Sequence, residues 1–252
     1  MIDVKYKIHG VSIVQAWFDD SCDISKHGKS DILHFCCTAN PGRTGKSHRQ
    51  HTLQNDLTLT SEELLANCKS NVRNEIRRAE KDGITTAYYG SIVSKTVEDS
   101  IIEEFNNEYN VMNEKKGRNA RPILDNLKHL NACNALVVST ALFNNEIVAF
   151  HAYVCDGNIT RLLYSVSTFR NEDITPSIVG RANRRLHYID MVAFKEHGYK
   201  VYDWGGYSLD ENLKGISDFK AGFGGIEKDV YMTTVCKTLK GKIAMWVKKS
   251  NA

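Results

Sequence analysis

The chain has 252 residues, of which 42% are hydrophobic and 25% charged, proportions that are ordinary for a soluble globular protein. Three prolines and seventeen glycines exclude collagen-like and low-complexity classes, and no apolar run approaches the roughly 20 residues of a membrane-spanning helix. The net charge of +3 is too small to predict duplex DNA as a partner. The N-terminus lacks the charged-then-apolar pattern of a signal peptide, so secretion is not expected.

The seven cysteines and nine histidines show neither the spacing of a disulfide framework nor that of a metal site. The sequence contains no CxxC pair, no HExxH motif and no local cluster of cysteine with histidine. These patterns predict a reduced, cytoplasmic chain with buried thiols and no bound metal.

The first part of the chain contains two apolar runs typical of strands, over residues 11–18 and 32–37. A polar segment, PGRTGKSHRQH, follows at 41–51. Its GRTGKS portion is similar to a phosphate-binding loop, but fewer residues separate its glycines than that motif requires. A solvated basic loop is therefore the preferred interpretation.

A single helix is predicted after this loop. Thr60 and Glu63 form a capping box at its start, and apolar residues at helical spacing continue it to a stop at Gly83. Beside the apolar stripe lies a row of cations, Arg73, Arg77 and Lys81, which share one face of the helix. This face is either solvated or a ridge that binds a phosphate-bearing ligand, and both interpretations stay open.

The elements predicted after residue 96 are two helices, three strands, a long helix, a strand, a short helix and a final strand. In that order they cover residues 101–112, 122–131, 135–143, 147–155, 159–166, 176–198, 199–204, 215–223 and 228–235. The three strands form an antiparallel meander, in which Asp156-Gly157 is expected to make a turn of type I′. The long helix between two strands implies a right-handed crossover and a parallel pair, so the sheet is mixed.

The long helix begins with Ser177-Ile178-Val179-Gly180-Arg181-Ala182. Together with the order of elements, this segment resembles the acyltransferase core of the GNAT fold. GNAT enzymes carry the motif Gln/Arg-x-x-Gly-x-Gly/Ala at the start of this helix, and in this chain serine replaces the first residue of the motif. The resemblance implies that two central strands splay apart to hold the pantetheine arm of an acyl donor, while the helix start faces its pyrophosphate. These six residues are accordingly expected to bind acyl-CoA, such as acetyl-CoA; the alternative is that the small residues serve helix packing.

Two other segments resemble the Fem-type peptidoglycan-bridge aminoacyltransferases. DFKAGFGG at 218–225 is similar to their Phe-Lys…Phe-Gly ending, and NVRNEIRRAEKDG at 71–83 to their Arg…Ala-Glu-Lys-x-Gly helix. The resemblance implies an α/β (α+β) fold: a GNAT-like mixed, mostly antiparallel sheet covered by helices, with a shortened N-terminal half. The implied domains are a partial GNAT-like half over 1–95, an acyltransferase core over 96–237 and a basic tail over 238–252.

Lys220 is the first catalytic candidate, because the matching lysine of the family is implicated in stabilising the transition state. A fixed cation lowers the barrier when an amine attacks an ester or thioester and an oxyanion forms. The alternative is a surface lysine that caps a short helix. Asp203 lies at the end of a core strand. It either orients the acceptor or accepts its amine proton, or it caps the turn that follows.

His151 and Tyr164 are further catalytic candidates on neighbouring strands. His151 is either a general base or a core histidine, and Tyr164 either protonates a thiolate leaving group or packs in the core. The residues expected to contact substrate are Arg73, Arg77, Trp204, Gly205, Gly206, Tyr207 and Phe219. For Trp204 and Tyr207 the alternative is a structural aromatic, and for the two glycines it is a turn.

The predicted activity is transfer of an acyl group from an activated carrier, with acyl-CoA favoured, to an amine of a cell-envelope sugar or peptide precursor by direct attack. The alternatives are aminoacyl-tRNA as the donor, favoured by the Phe-Lys ending and the basic ridge, and a non-catalytic domain that binds a ligand, a partner protein or RNA. The tail KTLKGKIAMWVKK at 237–249 is interpreted as a docked helix with solvated lysines, or as a contact with an anionic membrane at its inner face.

Overall fold

The computed structural model describes residues 1–93, 96–120, 122–168, 174–208, 210 and 213–250. By its internal contacts the chain forms two units: unit 1 contains residues 1–52 and 227–252, and unit 2 contains residues 53–226. This division differs from the boundaries near 95 and 237 expected from the sequence, and those boundaries stay a prediction.

The described residues form both strands and α-helices. The strands are β1 (Ile2–Ile8), β2 (Val11–Trp17), β3 (Ile32–Thr38), β4 (Lys46–Asp56), β5 (Thr85–Gly90), β6 (Leu136–Phe143), β7 (Glu146–Cys155), β8 (Ile159–Ser167), β9 (Val201–Gly206) and β10 (Ile226–Cys236). The helices are α1 (Ser61–Asn67), α2 (Ser70–Lys81), α3 (Asp99–Lys115), α4 (Leu124–Ala132), α5 (Pro176–Glu196), α6 (Lys214–Ala221) and α7 (Leu239–Ser250).

Both units contain a mixed sheet, as the sequence predicts. The strand order is β1-β2-β3-β10-β4 in unit 1 and β4-β9-β8-β7-β6-β5 in unit 2, with β4 contributing its first residues to unit 1 and its last to unit 2. In unit 1 the β2/β3 pair is parallel and the β1/β2 and β3/β10 pairs are antiparallel. In unit 2 the pairs from β5 to β8 are antiparallel and the β8/β9 pair is parallel.

The meander β6-β7-β8 and the long helix α5 lie where the sequence places them. Asn144 and Asn145 both adopt positive φ, as a type I′ turn requires. The prediction of a type I′ turn at Asp156-Gly157 is wrong, since Gly157 is the residue of that turn with positive φ. Glycine enters this backbone region, at a φ of +90°, without a steric penalty.

The helix predicted over residues 60–83 is two helices. Its capping box is present, because Thr60 accepts from the N–H of Glu63 and Glu63 accepts from the N–H of Thr60. The chain then becomes extended at Cys68, and the N–H of Lys69 donates to the carbonyl of Gly222 at 2.8 Å. A tertiary hydrogen bond thus replaces a helical one, which periodicity cannot predict.

The main core of unit 2 joins the helices before residue 95 to the elements after it. Val72 and Ile76 of α2 pack in one buried cluster with Phe194 of α5 and with Tyr153 and Trp204 of the sheet. This shared core explains why residues 53–95 belong to the same unit as the meander. None of the helices in the described part of the chain combines the length and apolar character needed to cross a membrane.

Candidate active site

The parallel strands β8 and β9 pair over a short distance and then part. Their ladder consists of Ile159 with Val201, Thr160 with Tyr202 and Arg161 with Asp203, whereas β8 continues to Ser167 and β9 to Gly206. Gly205 lies where the strands separate; its φ is +72°, and a Cβ there would lie 2.6 Å from the carbonyl oxygen of Leu162. A side chain is therefore excluded at this point. The strands separate after Arg161 and Asp203, ahead of α5.

Asp203 is 1% exposed and accepts hydrogen bonds from three directions. Arg161 donates to Oδ1 at 2.7 Å, the N–H of Gly205 to the same oxygen at 2.8 Å, and Gln54 to Oδ2 at 2.8 Å. Both carboxylate oxygens of Asp203 are thus already engaged by donors of the protein. This geometry favours the interpretation that Asp203 shapes the turn after β9 over that of a base for the acceptor amine.

Lys220 reaches the end of β9 from the last turn of α6. Its ammonium donates to the carbonyl oxygen of Trp204 at 2.8 Å and to that of Gly206 at 2.6 Å. The pKa of Lys220 falls from 10.5 to about 8, chiefly through burial and also through the Arg161 cation, while Asp203 acts in the opposite direction. The cation is thus fixed at the parting strands, and two of its three N–H groups are occupied.

Arg161 is the residue of this site that sequence reasoning missed. It is 5% exposed and forms a buried ion pair with Asp203. The available signal was its position, because an arginine within the apolar strand ITRLLYSV has to find a partner when it is buried. Lys220 and Asp203, both candidates from the sequence, lie close together in the structure. Arg161 lies with them, so the charged group of this site consists of these three residues.

His151 belongs to a separate buried network on the α5 side of the sheet. Its Nδ1 lies 2.7 Å from Asp190 and its Nε2 lies 2.8 Å from the side-chain oxygen of Asn183. With both ring nitrogens paired and no exposed surface, His151 fits the core interpretation better than that of a general base. The network continues from Asp190 through Tyr153 to Tyr202.

Within the described residues, one group of side chains has the spacing of a metal site. His151, His187 and Asp190 are buried, and their ligand atoms lie within 4.8 Å of one another. His187 Nδ1 lies 2.8 Å from the hydroxyl of Tyr202, and burial lowers the pKa of His187 well below its usual 6.5. Hydrogen bonds between protein groups therefore already engage these side chains, and burial keeps His187 neutral.

Tyr164 lies away from both groups. Its hydroxyl accepts from Asn126 of α4 at 3.3 Å, and its ring packs edge-on against Tyr109 and Phe105 of α3. These contacts place it with α3 and α4, whereas His151 faces α5. The four predicted catalytic residues therefore divide into one pair, Lys220 with Asp203, and two separate residues.

The start of α5 offers little of the predicted hexapeptide to a ligand. Val179 and Ala182 are buried in an apolar cluster against which Ile178 packs, and Arg181 forms an ion pair with Asp82 at 2.7 Å. The exposed member is Ser177, while Gly180 is half-buried beside the guanidinium of Arg184. Thr175, which precedes the helix, makes no side-chain cap, so an incoming anion would meet the N–H of Ser177 first.

The three cations of the predicted basic ridge on α2 differ in their surroundings, and Lys81 is exposed. Arg73 donates to the carbonyls of Ala66 and Cys68, so it caps the end of α1. Arg77 is exposed. Both arginines nevertheless line a cleft of about 460 Å³, together with Glu62, Leu65 and Ala66.

The aromatic residues expected to contact substrate differ in burial. Trp204 has no exposed surface and donates its indole N–H to Asn55 at 2.6 Å, which favours the interpretation of a structural aromatic over that of a contact with substrate. It packs instead in the core. Tyr207 and Phe219 are half-buried, and the guanidinium of Arg184 lies 5.1 Å from the centre of the Phe219 ring. Gly206, unlike Gly205, is exposed.

Comparisons with known proteins give similarity in structure but not in sequence. No family model and no curated protein matches the sequence. FemX aligns with a TM-score of 0.62 at 13% identity, over 91% of this chain and 83% of its own. L-PGS from Bacillus licheniformis aligns with a TM-score of 0.52 at 12% identity, over 97% and 84%.

A third solved structure is the C-terminal domain of an Agrobacterium fabrum protein assigned as a lysylphosphatidylglycerol synthetase. It aligns with a TM-score of 0.52 at 12% identity over 80% of this chain, which spans 65% of that domain. The chain therefore has the fold of FemX and of these synthetase-type domains, a GNAT-like α/β fold with a mixed sheet.

Proposed function

We propose that this protein is an acyltransferase that moves an acyl group from an activated carrier to an amine. The observation that carries the proposal is the placement of the Lys220 ammonium, which two carbonyls fix at the end of β9 where β8 parts from it. The Arg161–Asp203 pair lies beside this cation. The shared fold with FemX supports the same class of reaction.

The step we propose is direct attack without a covalent enzyme intermediate. The neutral acceptor amine adds to the carbonyl carbon of a thioester, and the carbonyl oxygen becomes an oxyanion that accepts from the remaining N–H of Lys220. Collapse of this intermediate breaks the carbon–sulfur bond, releases the thiolate and leaves an amide, and the amine proton passes to water. A single oxyanion donor of this kind contributes about 10²–10³ in rate.

Acyl-CoA is the donor that we favour. Unit 2, which holds Lys220, has 20 lysines and arginines against 23 acids, a net charge of −3. A negative unit repels a long polyanion such as tRNA more than it repels the compact pyrophosphate of coenzyme A. The Arg73–Arg77 cleft is the specific observation in favour of the second candidate donor, an aminoacyl-tRNA.

The acceptor that we propose is an amine on a cell-envelope sugar or peptide precursor. Support comes from the likeness to FemX and from a neighbour whose description names lysylphosphatidylglycerol, an envelope lipid. Incubation of the protein with acyl-CoA and such precursors, followed by mass spectrometry, would detect the amide product.

The test of the proposed function is the variant Lys220→Met, with Lys220→Arg to restore the cation and Lys200→Met, an exposed lysine, as the matched control. We expect kcat to fall about 100-fold or more in Lys220→Met and to recover partly in Lys220→Arg. Unchanged turnover in Lys220→Met, with a folded protein, would refute the role of this cation. Ligand binding without turnover in the wild-type protein would establish the non-catalytic alternative.

The donor is decided by a separate measurement. Thermal stabilisation by acetyl-CoA, with none by aminoacyl-tRNA, is the expected result, because a ligand that binds only the native state raises its stability. The reverse result would establish the tRNA-dependent alternative.

A further inference from the structure

Unit 1 contains an apolar groove that the proposed reaction does not use. The groove has a volume of about 830 Å³ and lies between α7 and strands β1, β2 and β3. Ile8, Val11 and Ile13 line it from the sheet, and Ile243 and Val247 line it from the helix. Its dimensions and lining suit an alkyl chain, since sites for apolar ligands are concave and mostly hydrophobic.

His34 is one of the ring side chains that line the groove. Burial, together with the Lys248 cation, lowers the pKa of His34 to about 4. At neutral pH the imidazole is uncharged, and it also bonds to the hydroxyl of Thr234 at 2.9 Å. His34 therefore brings no charge to the groove.

Helix α7 exposes apolar side chains beside this groove. Leu239 is 72% exposed, Ile243 55% and Trp246 70%. Their spacing places them on one face of the helix. An exposed stripe that combines aliphatic residues with a tryptophan is typical of helices that lie in a membrane interface.

The charge of unit 1 is opposite to that of unit 2. Unit 1 has thirteen lysines and arginines against seven acids, a net charge of +6, and no acid follows Asp229. Lys240 and Lys248 line the groove, and Lys242 lies on the same helix. Cations around an apolar groove match a ligand that has a negatively charged head and an alkyl chain.

We propose that unit 1 docks on bilayers that contain anionic phospholipid, with α7 in the interface and one acyl chain in the groove. Lys240, Lys242 and Lys248 meet the phosphate headgroups. Leu239, Ile243 and Trp246 enter the boundary between headgroups and acyl chains. Phosphate attraction alone would also suit RNA, but the exposed apolar stripe has no counterpart in a nucleic-acid backbone. The bilayer is the partner that both features fit.

The first test is binding of the full chain to vesicles of phosphatidylcholine, with and without phosphatidylglycerol. The protein has three tryptophans, of which Trp17 and Trp204 are buried and Trp246 is exposed, so emission from Trp246 reports insertion. We expect cosedimentation and a blue shift with the anionic vesicles only. Absence of both would overturn the proposal.

Matched variants separate the apolar and the charged contributions. Trp246→Glu should abolish binding, whereas Val93→Glu, at an exposed apolar residue of unit 2, should leave it unchanged. Lys242→Glu should raise the lipid concentration for half-binding by about tenfold or more, because each cation at an anionic surface contributes appreciably. Lys200→Glu is its control. Equal effects of a variant and its control would contradict the proposal.

Occupation of the groove has its own measurement. Ala244→Phe places a ring in the groove and should weaken vesicle binding about tenfold, through lost burial of methylene groups, whereas Ala120→Phe should not. In the unmodified chain, the methyl resonance of Met245, the methionine that lines the groove, should shift on addition of dihexanoyl phosphatidylglycerol. An unmoved Met245 resonance, or tRNA binding that depends on Trp246 without vesicle binding, would overturn the proposal.

Discussion

Lys220→Met should change how the stability of the protein depends on pH, and this prediction tests the site without any substrate. The pKa of Lys220 falls from 10.5 to about 8 in the native state, chiefly through burial. A difference of this size corresponds to a ceiling of about 3 kcal/mol. Because the side chain is half-buried and screened by water, we expect about 1–2 kcal/mol.

The direction follows from the protons that each state binds. Between pH 8 and 10.5 the unfolded lysine stays protonated while the native lysine loses its proton, so the free energy of unfolding rises with pH. Below pH 8 both states are protonated, and the full penalty of burying the cation is present. The wild-type protein should therefore gain about 1–2 kcal/mol over Lys220→Met between pH 7 and pH 10.

Urea denaturation at intervals across this range measures the difference, and Lys200→Met corrects for the loss of a solvated lysine. A constant offset between the wild type and Lys220→Met is irrelevant, because it also contains the two lost hydrogen bonds to carbonyls. Parallel curves would refute the reasoning. They would mean that the ammonium lies in bulk water, where it cannot stabilise an oxyanion at the parting strands.

Three other predictions follow from the same contacts. Turnover should fall above pH about 8 as Lys220 loses its proton, and Lys220→Arg, whose group stays charged, should remove that decline from the pH–rate profile. Asp203→Asn should lower the free energy of unfolding by about 3–5 kcal/mol, measured in urea, because it leaves the buried Arg161 without its counter-charge. Since burial keeps His187 neutral, stability should decline as pH falls below 6.5, and His187→Phe should lessen that decline in acid denaturation curves; an unaltered decline would contradict it.

Local patterns predict the elements of this fold well, because helix caps, turns and periodicity act over a few residues. The meander β6-β7-β8, the start of α5 at Pro176 and the capping box at Thr60 are confirmed for this reason. The break at Cys68 is different. It depends on a hydrogen bond from Lys69 to Gly222, a residue distant in sequence, which periodicity cannot indicate.

The site was harder to predict, because its residues depend on pairing between strands. Arg161 matters through its position opposite Asp203 in the β8/β9 ladder, and no spacing within β8 reveals that register. Trp204 is likewise buried because β4 supplies Asn55 for its indole N–H. Lys220 was found through a motif, and the contacts of its ammonium with β9 come from the fold.

The charges of the site explain why a lysine with a lowered pKa suits acyl transfer. Arg161 and Asp203 neutralise each other, so the protonated Lys220 leaves the group with one uncompensated positive charge. That charge is unfavourable in the resting protein, as the fall of its pKa to about 8 indicates. An oxyanion that forms next to the ammonium compensates this charge. The ammonium therefore interacts more favourably with the transition state than with the resting protein, and this difference lowers the barrier. A solvated lysine would gain less from the oxyanion, because water already compensates its charge before the reaction begins.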